Sequence, residues 1–481
     1  MAHPSTAKLL QVVRDGLPPA PAPARVVIIG AGMAGLVAAA ELLRAGHDPH
    51  LLEARPRVGG RIETLREPFS DGLYAEAGAM RIPRAHALTI AYVERYGLSV
   101  APFTMANPDG YVFLHGHRHR AHEVMSEPTR LGYTLAVHEC AVGPEQLWAT
   151  TIAPLVQRLA EGSDEAWSTV VTEYDGYSTR EFLEANNWSE AAIEVFGLLS
   201  QQEALLNAAF LELLREEVGH CYTDLVAIDG GMDQLPRAFL PELRDRIRFG
   251  AKVFALDQSP EGIIVHYQTA SGRFQAEGDY AIVTVPFPVL RHMEVAKPFT
   301  RDKQRAIRQL HYDASAKIFL QCRRRFWEED DGIVGGGTFT DLPIRAVFYP
   351  DHGRETGRGV LLASYTWGDD AQRWGSLAPV DRVTQALENL ACIHPQIMDA
   401  FEVGASKMWH DDEFAGGAFA LFQPGQQRLL YEHIAAPEGR FHFAGEHTSL
   451  AHAWIQGAIE SGLRAAWEIA ERSGVGSTSV A

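Results

Sequence analysis

A glycine-rich turn at residues 30–35 restricts the fold of this chain more than any other feature. A buried, β-branched strand is predicted before it at Arg25–Ile29, and an apolar helix after it at Leu36–Ala45. A second strand at His50–Leu52 then leads directly to Glu53. This order of strand, glycine turn, helix, strand and acid predicts a Rossmann-like dinucleotide-binding unit.

Each glycine of the turn has its own physical role. Gly30 permits the tight bend, Gly32 lets backbone approach a pyrophosphate, and Gly35 lets the helix pack closely on the strand. The helix N-terminus faces the phosphates, and a carboxylate at the end of the second strand accepts from ribose hydroxyls. Glu53 would repel a 2′-phosphate, so NAD and FAD both stay open at this point. The predicted cofactor contacts of this unit are Gly30, Gly32, Met33, Ala34, Gly35, Glu53 and Ala54.

Length and composition set broad limits on the class of protein. At 481 residues the chain is too long for one core, so two or three domains are expected. The formal net charge of −18 argues against nucleic acid or an anionic membrane as a partner. The N-terminus lacks a basic-then-apolar signal, no apolar stretch could span a membrane, and the cysteines follow no metal or redox spacing. A cytoplasmic location with reduced thiols is expected.

The order of helical and strand patterns predicts a mixed α/β fold with a discontinuous Rossmann-like domain. A helical block includes the periodic stretch Glu190–Leu214, and a strand meander begins with Arg248–Leu256. The strand predicted at Phe441–Ala444 should return to the nucleotide-binding sheet. The predicted domains are a dinucleotide-binding domain at 24–65, 225–310 and 435–475, an inserted mixed-sheet substrate domain at 66–120 and 311–434, and a helical domain at 121–224.

No metal site is predicted. The histidine-rich run His115–His119 has no acid or cysteine at usable spacing and is interpreted as a polar surface hairpin. The chain also lacks a G-x-S-x-G nucleophile elbow. A redox cofactor would make both features unnecessary.

Two further segments extend the predicted nucleotide site. Arg55–Arg61 places adjacent glycines between arginines just after the acid, and Phe441–Thr448 is a strand that runs into a Gly-Glu turn. In these elements the chain resembles the flavin amine oxidase superfamily. The resemblance implies FAD as the cofactor and a helix, from about Ala453, whose N-terminus would stabilise reduced flavin by roughly 0.3–2 kcal/mol. It implies further cofactor contacts at Arg55, Gly60, Arg61, Val253, Trp409, Gly445, Glu446, Trp454 and Ile455.

The segment Gly78–Pro83 indicates the substrate. Its glycine lets backbone approach a flat ring, its proline stiffens the exit, and Arg81 presents a planar, permanently charged group. The segment is similar to one in L-amino acid oxidases, where the arginine holds the substrate carboxylate. The resemblance covers the chain from about Val26 to Ala470 and favours that branch. The predicted cofactor contacts here are Gly78, Ala79, Met80 and Arg81.

Matching segments imply further roles. Lys317, the predicted catalytic residue, matches a lysine that holds a water against the reactive flavin nitrogen. Tyr365 matches a tyrosine that gives the substrate carboxylate a second donor beside the arginine. Trp454 would form the wall at the α-amino side from the flavin-facing helix. Ala453 stands where several relatives have a glycine whose carbonyl accepts from the substrate amine. Ala418 would place a small side chain where the pocket meets the substrate side group.

The resemblance also bears on cofactor attachment and assembly. Monoamine oxidases that bind FAD covalently carry a cysteine near the Gly-Glu turn, whereas residues 448–456 contain none. Noncovalent FAD is therefore expected. The implied partners are an amino acid, dioxygen and a second copy of the chain in a homodimer, with no nucleic acid and no membrane.

The predicted function is that of an FAD-dependent L-amino acid oxidase. Such an enzyme converts an L-amino acid into a 2-oxo acid, ammonia and hydrogen peroxide. A primary-amine or polyamine oxidase and an amino acid 2-monooxygenase of the same superfamily are the alternatives. An unpaired buried arginine argues against the amine alternative. Ala418 and the aromatic pocket residues indicate bulky apolar substrates, without identifying them.

Overall fold

The computed structural model of the chain describes residues 4–160 and 162–475. Short strands occur along most of its length, and several segments far apart in sequence share one sheet. In chain order the strands are β1 Arg25–Ile29, β2 Asp48–Glu53, β3 Thr64–Leu65, β4 Ala75–Glu76, β5 Ile82–Pro83, β6 Val100–Pro102, β7 Tyr111–Leu114, β8 His117–Arg120, β9 Leu225–Ile228, β10 Ile247–Phe249, β11 Lys252–Gln258, β12 Ile263–Thr269, β13 Gly272–Gly278, β14 Tyr280–Val283, β15 Glu294–Val295, β16 His311–Asp313, β17 Ser315–Cys322, β18 Gly337–Thr340, β19 Ala346–Phe348, β20 Gly359–Trp367, β21 Phe401–Met408, β22 Phe419–Leu421 and β23 Phe441–Phe443.

Helices cover both faces of the first sheet and form a separate block in the middle of the chain. In chain order they are α1 Thr6–Asp15, α2 Met33–Arg44, α3 Ala87–Arg95, α4 Ala121–Ser126, α5 Val137–Leu159, α6 Asp164–Tyr174, α7 Thr179–Ala185, α8 Glu190–Leu199, α9 Phe210–Val218, α10 Gln234–Arg237, α11 Leu240–Leu243, α12 Phe287–Leu290, α13 Arg301–Gln309, α14 Phe326–Glu329, α15 Gly368–Gly375, α16 Pro379–Ile393, α17 Ile397–Ala400, α18 Gln426–Ala435 and α19 Ile455–Val475. Short 3₁₀ helices lie at Pro128–Leu131, Glu203–Leu205, Arg244–Arg246, Arg354–Thr356 and Glu446–Thr448.

β1 lies at the centre of a five-stranded parallel sheet with the order β10-β2-β1-β14-β23. Both faces are covered, which is why β1 is apolar without alternation. Val26 and Ile28 face a core that contains α2 and α19, whereas Val27 and Ile29 face a core with α13, α18 and β11–β12. The sheet therefore joins chain segments that the sequence separates by hundreds of residues, and the predicted return of residues 441–444 to it is confirmed.

The other sheets extend away from this layer. A seven-stranded sheet has the order β21-β17-β20-β19-β18-β7-β8, and a four-stranded sheet has the order β13-β12-β11-β15. Smaller sheets pair β16 with β22, β3 with β4, and β9 with both β5 and β6. β7 and β8 form the hairpin predicted at the histidine-rich run, with His115 and Gly116 at its turn. The predicted mixed α/β class is confirmed.

The domain boundaries remain a prediction. Strand β9, which belongs to the predicted dinucleotide-binding domain, pairs with β5 and β6 of the predicted substrate domain. Helices α5 to α9 enclose an aromatic core around Trp148, Phe182, Phe196 and Phe210. This helical block lies within the range predicted for it.

Several predicted element limits were wrong, and residues with left-handed backbone explain most of the errors. The predicted helix at Glu190–Leu214 is two helices, α8 and α9, because Gln201 has φ +60° between them. Gly250, at φ +67°, divides the strand predicted at Arg248–Leu256 into β10 and β11, which join different sheets. Ala453, at φ +64°, delays the last long helix until Ile455, so Trp454 precedes that helix.

Two boundaries of the nucleotide unit also differ from the prediction. α2 begins at Met33, inside the glycine turn, because Gly32 is its N-cap, and β2 extends over Asp48–Glu53. Helix α1 was not predicted, although Leu9, Val12 and Val13 bury its apolar face in the core beneath α2. In the part of the chain that the structure describes, no helix combines the length and apolar character needed to cross a membrane.

Candidate active site

A cavity of about 1110 Å³ opens at the carboxyl ends of the parallel strands. This edge is where ligands bind in open α/β sheets. Its wall also includes β17, β20, α9 and the turn before α19. The predicted site residues that line it are Gly30, Gly32, Met33, Ala34, Glu53, Ala54, Arg55, Gly60, Arg61, Gly78, Ala79, Met80, Arg81, Val253, Lys317, Tyr365, Trp409, Ala418, Gly445, Glu446, Ala453, Trp454 and Ile455. The tertiary structure thus brings together predicted residues that are widely separated along the chain.

Gly35 lies behind this wall and shapes the turn. A Cβ at Gly35 would lie 2.1 Å from the Gly30 carbonyl oxygen, so α2 packs directly against the turn. Gly30 itself has φ +107°, a conformation that favours glycine. Gly60 approaches Gly32 closely, since a Cβ there would lie 3.4 Å from the Gly32 Cα. These backbone approaches hold the two glycine segments against each other at the cavity wall.

Glu53 lies at the end of β2 and is 6% exposed. Its Oε2 accepts from the Ala31 N–H at 2.7 Å, and its Oε1 accepts from the Arg55 N–H at 2.8 Å. Burial raises the pKa of Glu53, and the two backbone hydrogen bonds oppose that effect. Each carboxylate oxygen keeps a free lone pair for a ribose hydroxyl.

Arg61 and Glu446 connect the two ends of the site. Arg61 Nη1 donates to Glu446 Oε1 at 2.8 Å and to the Ala418 carbonyl at 2.9 Å. Glu446 Oε2 in turn accepts from the Ala453 N–H at 3.1 Å. This ion pair therefore fixes the turn before α19 relative to the glycine segment that follows Glu53.

The turn at Gly78 is held from three sides. A Cβ at Gly78 would lie 1.8 Å from the Arg61 carbonyl oxygen, so only glycine fits. Trp409 Nε1 donates to the Ala77 carbonyl at 2.8 Å. Lys317 Nζ donates to the Gly78 carbonyl at 2.7 Å. The turn is rigid before Arg81 leaves it.

Lys317 is buried and points at this turn. Its Nζ also donates to the Glu76 carbonyl at 3.0 Å and lies 3.3 Å from Met80 Sδ. Burial and the nearby charge of Arg81 lower the pKa of Lys317 to about 7. Lys317 therefore stabilises the Gly78 turn and carries a charge that changes near neutral pH.

Arg81 is buried in the cavity wall and forms no ion pair with any residue that the structure describes. Within the described part of the chain, its Nε and Nη1 have no hydrogen-bond partner. The guanidinium lies 5.7 Å from the ring of Tyr222 and 5.9 Å from that of Phe103. An unpaired cation in such surroundings is unfavourable unless an anion joins it.

Tyr365 lies beside these cations. β17 and β20 pair in a register that places Tyr365 opposite Lys317, whose Nζ lies 4.6 Å from the tyrosine ring. Trp367 packs edge-on against the same ring at 4.8 Å. Burial raises the pKa of Tyr365, so its hydroxyl remains a proton donor at neutral pH.

Ala453 and Trp454 line the cavity just before α19. The left-handed φ of Ala453, +64°, costs a non-glycine residue about 1–2 kcal/mol. Trp454 packs edge-on against His86 at 5.0 Å, and its Nε1 donates to Glu216 Oε1 at 2.8 Å.

The sequence prediction missed the charged face of α9. Glu212, Arg215 and Glu216 all line the cavity. Glu212 accepts from His452 at 3.1 Å and lies 3.5 Å from Arg215. Their spacing within an apolar helix, three and four residues apart, places them on one face and could have revealed them. The cavity wall therefore carries charged side chains beside the predicted apolar and aromatic ones.

A cysteine also reaches the cavity. Cys221 lines it, and its Sγ lies 3.4 Å from His86 Nε2. Burial raises the pKa of the Cys221 thiol and lowers that of His86 to about 4. A protonated thiol beside a neutral imidazole is a weak nucleophile.

The fold and the cavity define a dinucleotide-type cofactor site with an unpaired cation beside it. The chain belongs to the flavin-containing amine oxidoreductase family, whose sequence model matches residues 33–470. It is therefore a flavin-containing oxidoreductase, and the predicted resemblance to this superfamily is confirmed.

The relatives most similar in sequence carry a common name. YobN of Bacillus subtilis strain 168, provisionally named an L-amino-acid oxidase, is 39% identical over 472 residues, covering 96% of this chain and 98% of that protein. The L-amino-acid oxidase of Vipera ammodytes ammodytes is 35% identical over 469 residues, covering 96% of each chain. That of Pseudechis australis is also 35% identical, covering 96% of this chain and 90% of the relative. These names agree with the L-amino acid oxidase branch that the sequence predicted.

Solved structures share the fold. Putrescine oxidase bound to putrescine has a TM-score of 0.73 and 22% identity, covering 93% of this chain and 99% of its own. Cyclohexylamine oxidase from Brevibacterium oxydans has a TM-score of 0.73 and 20% identity, covering 94% of this chain and 99% of its own. At these identities the likeness concerns the fold alone.

Proposed function

We propose that the protein is an FAD-dependent L-amino acid oxidase. It converts an L-amino acid, water and dioxygen into a 2-oxo acid, ammonia and hydrogen peroxide. The observation that carries the proposal is the guanidinium of Arg81, buried in a flavin oxidoreductase cavity, with no partner for its Nε and Nη1 among the described residues. A substrate carboxylate would supply the missing anion in a bidentate geometry. The names of the relatives support the same substrate class.

The residues of the glycine turns fit noncovalent FAD. The backbone of Gly32 and Gly60, which line the cavity, would face the diphosphate, and Glu53 would accept from the adenosine ribose. Bound FAD would supply the acceptor for the hydrogen and electrons that leave the substrate α-carbon. Cys221 lies in the cavity, but its thiol is protonated and paired with His86, which argues against a covalent flavin bond.

The remaining site residues orient the substrate. Arg81 and the Tyr365 hydroxyl would hold the carboxylate, which leaves the α-carbon between them and Trp454. The Ala453 carbonyl would accept from the amine. Lys317 keeps the Gly78 turn rigid through two carbonyls and places positive charge near the site of oxygen reduction.

The proposal includes the predicted homodimer and cytoplasmic location. Light scattering of the purified protein would test the first, and fractionation of the cells that produce it would test the second.

Arg81 provides the test of the substrate class. Arg81→Ala should lower kcat/KM for L-phenylalanine by about 30-fold to several thousand-fold, because truncating one side of a buried charge pair costs about 2–5 kcal/mol. Its flavin content and its activity with 2-phenylethylamine should not fall. Arg81→Lys should recover little, since lysine lacks the planar fork. Peroxide formation with each substrate measures these effects.

Arg84→Ala is the matched control, because Arg84 is exposed, pairs with Asp224 at 3.4 Å and lies only three positions further along. It should match the unaltered protein. Equal losses on the acid and the amine in Arg81→Ala would contradict the carboxylate role. An amide and carbon dioxide as products would select the monooxygenase alternative, and activity on amines alone would select an amine oxidase.

A further inference from the structure

Glu216 is the carboxylate of α9 that approaches the substrate side of the cavity. Tyr222 Oη donates to its Oε2 at 2.8 Å, and Trp454 Nε1 donates to its Oε1 at 2.8 Å. Both donors are neutral side chains that line the same cavity. Trp454 is also the residue expected beside the substrate amine. Glu216 is thus attached to the wall that would face that amine.

Glu216 and its neighbour Glu212 have different kinds of partners. Glu212 is already engaged with His452, Arg215 and the Phe422 N–H. Glu216, by contrast, forms no ion pair within residues 4–160 and 162–475. Arg81 is likewise unpaired over the same residues. Its guanidinium lies 5.7 Å from the ring of Tyr222, whose hydroxyl is bonded to Glu216. The cavity therefore presents a cation and a carboxylate that both contact one tyrosine.

We propose that Glu216 accepts the proton that the substrate α-ammonium group must lose before the α-carbon is oxidised. This inference rests on the proposed function. A carboxylate bound at Arg81 places the amino group, one carbon away, in the part of the cavity next to Trp454 and Glu216. In the step, an N–H bond of the ammonium breaks and an O–H bond forms on Glu216. The neutral amine keeps the lone pair that promotes loss of hydride, and Glu216 later returns the proton to water.

The electrostatic surroundings agree with this role. Burial raises the pKa of Glu216 to about 7, the hydrogen bonds from Tyr222 and Trp454 oppose that effect, Glu212 adds to it, and Arg81 opposes it. A substrate carboxylate on Arg81 would cancel much of that last influence, so binding itself would increase the proton affinity of Glu216.

The other titratable groups facing this region are less suited to accept a proton. His86 has a pKa lowered to about 4 by burial, and the Cys221 thiol beside it is protonated. The pKa of His452 is raised, because its hydrogen bond and attraction to Glu212 outweigh burial. Tyr222 has a pKa raised well above its ordinary value, by burial and then by Glu216. His86, Cys221 and Tyr222 are therefore weak acceptors, and His452 is already engaged with Glu212.

The test compares Glu216→Gln with Glu217→Gln, the same change at the next position, whose side chain accepts from Trp148 instead. We measure kcat/KM for L-phenylalanine across pH, with peroxide as readout. Glu216→Gln should lose about 10²-fold or more at pH 7, the usual contribution of a positioned base. The loss should disappear above the pKa of the free amine, where the substrate arrives deprotonated. Glu217→Gln should follow the unaltered protein throughout.

Other outcomes would overturn the inference. A loss that is equal at every pH would assign Glu216 a structural role, and a loss confined to L-lysine and L-arginine would assign it to side-chain recognition. An active parent enzyme with an unaffected Glu216→Gln would overturn this inference alone. A parent that oxidises no L-amino acid would overturn the proposed function and this inference with it.

A second variant decides the matter if Glu216→Gln fails to retain flavin. Tyr222→Phe keeps the carboxylate and removes one donor that stabilises its charged form. The acidic limb of the kcat/KM profile should therefore move to higher pH. An unmoved limb would overturn the inference.

Discussion

Arg81 and Lys317 are both buried cations, yet their surroundings give them different chemistry. Arg81 has two unpartnered nitrogens over the described residues, so it attracts an anion. Lys317 satisfies its donors with backbone carbonyls, and burial lowers its pKa to about 7. The same formal charge therefore serves binding in one case and a pH-dependent role in the other.

At this scale we predict that Lys317→Met slows flavin reoxidation by dioxygen more than flavin reduction by substrate. Methionine fills the space but removes a positive charge near the reduced oxygen. Because Lys317 is charged below a pKa of about 7, the difference between parent and variant should be largest at acidic pH and shrink above pH 7. Stopped-flow absorbance of the two half-reactions measures both rates.

Lys317→Met should also lower the stability of the fold, and the experiment must separate this loss from the effect on flavin reoxidation. It leaves the Gly78 and Glu76 carbonyls without their donor, which costs about 1–3 kcal/mol of stability. Urea unfolding of both proteins measures this cost. An oxygen dependence that stays unchanged while stability falls would limit Lys317 to holding the turn.

Among the elements, the packing of α2 on the turn after β1 depends on one close contact, between Gly35 and the Gly30 carbonyl. α2 can pack on the turn only because position 35 has no side chain beyond its α-carbon. We predict that Gly35→Ala lowers the free energy of unfolding by about 1–3 kcal/mol and reduces flavin content, since its Cβ would meet backbone 2.1 Å away. Urea titration and the flavin-to-protein absorbance ratio measure the two effects.

Gly176→Ala is the control for this substitution. A Cβ at Gly176 meets no atom within 4 Å, and the glycine is exposed. It should change stability by no more than about 0.5 kcal/mol and leave flavin content intact. If Gly35→Ala behaved like Gly176→Ala, the close packing of α2 on the turn would be incorrect.

At the scale of the whole molecule, the C-terminal helix α19 packs on β23 and α2. Glu468 on α19 accepts from His442 Nδ1 at 2.6 Å and from Arg464 Nη1 at 2.8 Å. Burial alone would raise the pKa of Glu468, but the hydrogen bond from His442 and the charge of Arg464 lower it to about 2. Arg464 also donates to the Phe443 carbonyl at 2.7 Å. This cluster therefore anchors the C-terminal helix to the first sheet.

We predict that Glu468→Gln costs about 3–5 kcal/mol of global stability at pH 7, because it leaves Arg464 buried without its anion. A carboxylate with a lowered folded-state pKa stabilises the fold above the ordinary value of 4.5, and that contribution is lost as pH falls toward 2. The difference between parent and variant should therefore be constant down to about pH 4.5 and shrink below it. Urea unfolding at several pH values measures it, and a difference that grows on acidification would contradict the assignment.

The sequence by itself determined the nucleotide unit, since its glycines and acid act through local backbone geometry. Gly30, Gly32 and Glu53 stand where the pattern predicted because strand, turn and helix are short-range structures. Arg81, Lys317 and Tyr365, which the family resemblance singled out, lie together on the wall of one cavity. Element limits were less accurate wherever one residue with positive φ, such as Gln201 or Ala453, interrupted a continuous pattern.

Only the tertiary structure decided which charges remain unpaired. Arg61 meets Glu446 across 385 residues of sequence, whereas Arg81 meets no counter-ion among the described residues. Glu212 and Glu216 look alike in sequence, but one is bonded to His452 and the other to Trp454 and Tyr222. The partners of a buried ionisable group lie far away along the chain, and its desolvation and neighbours set its chemistry. Local sequence patterns contain neither quantity.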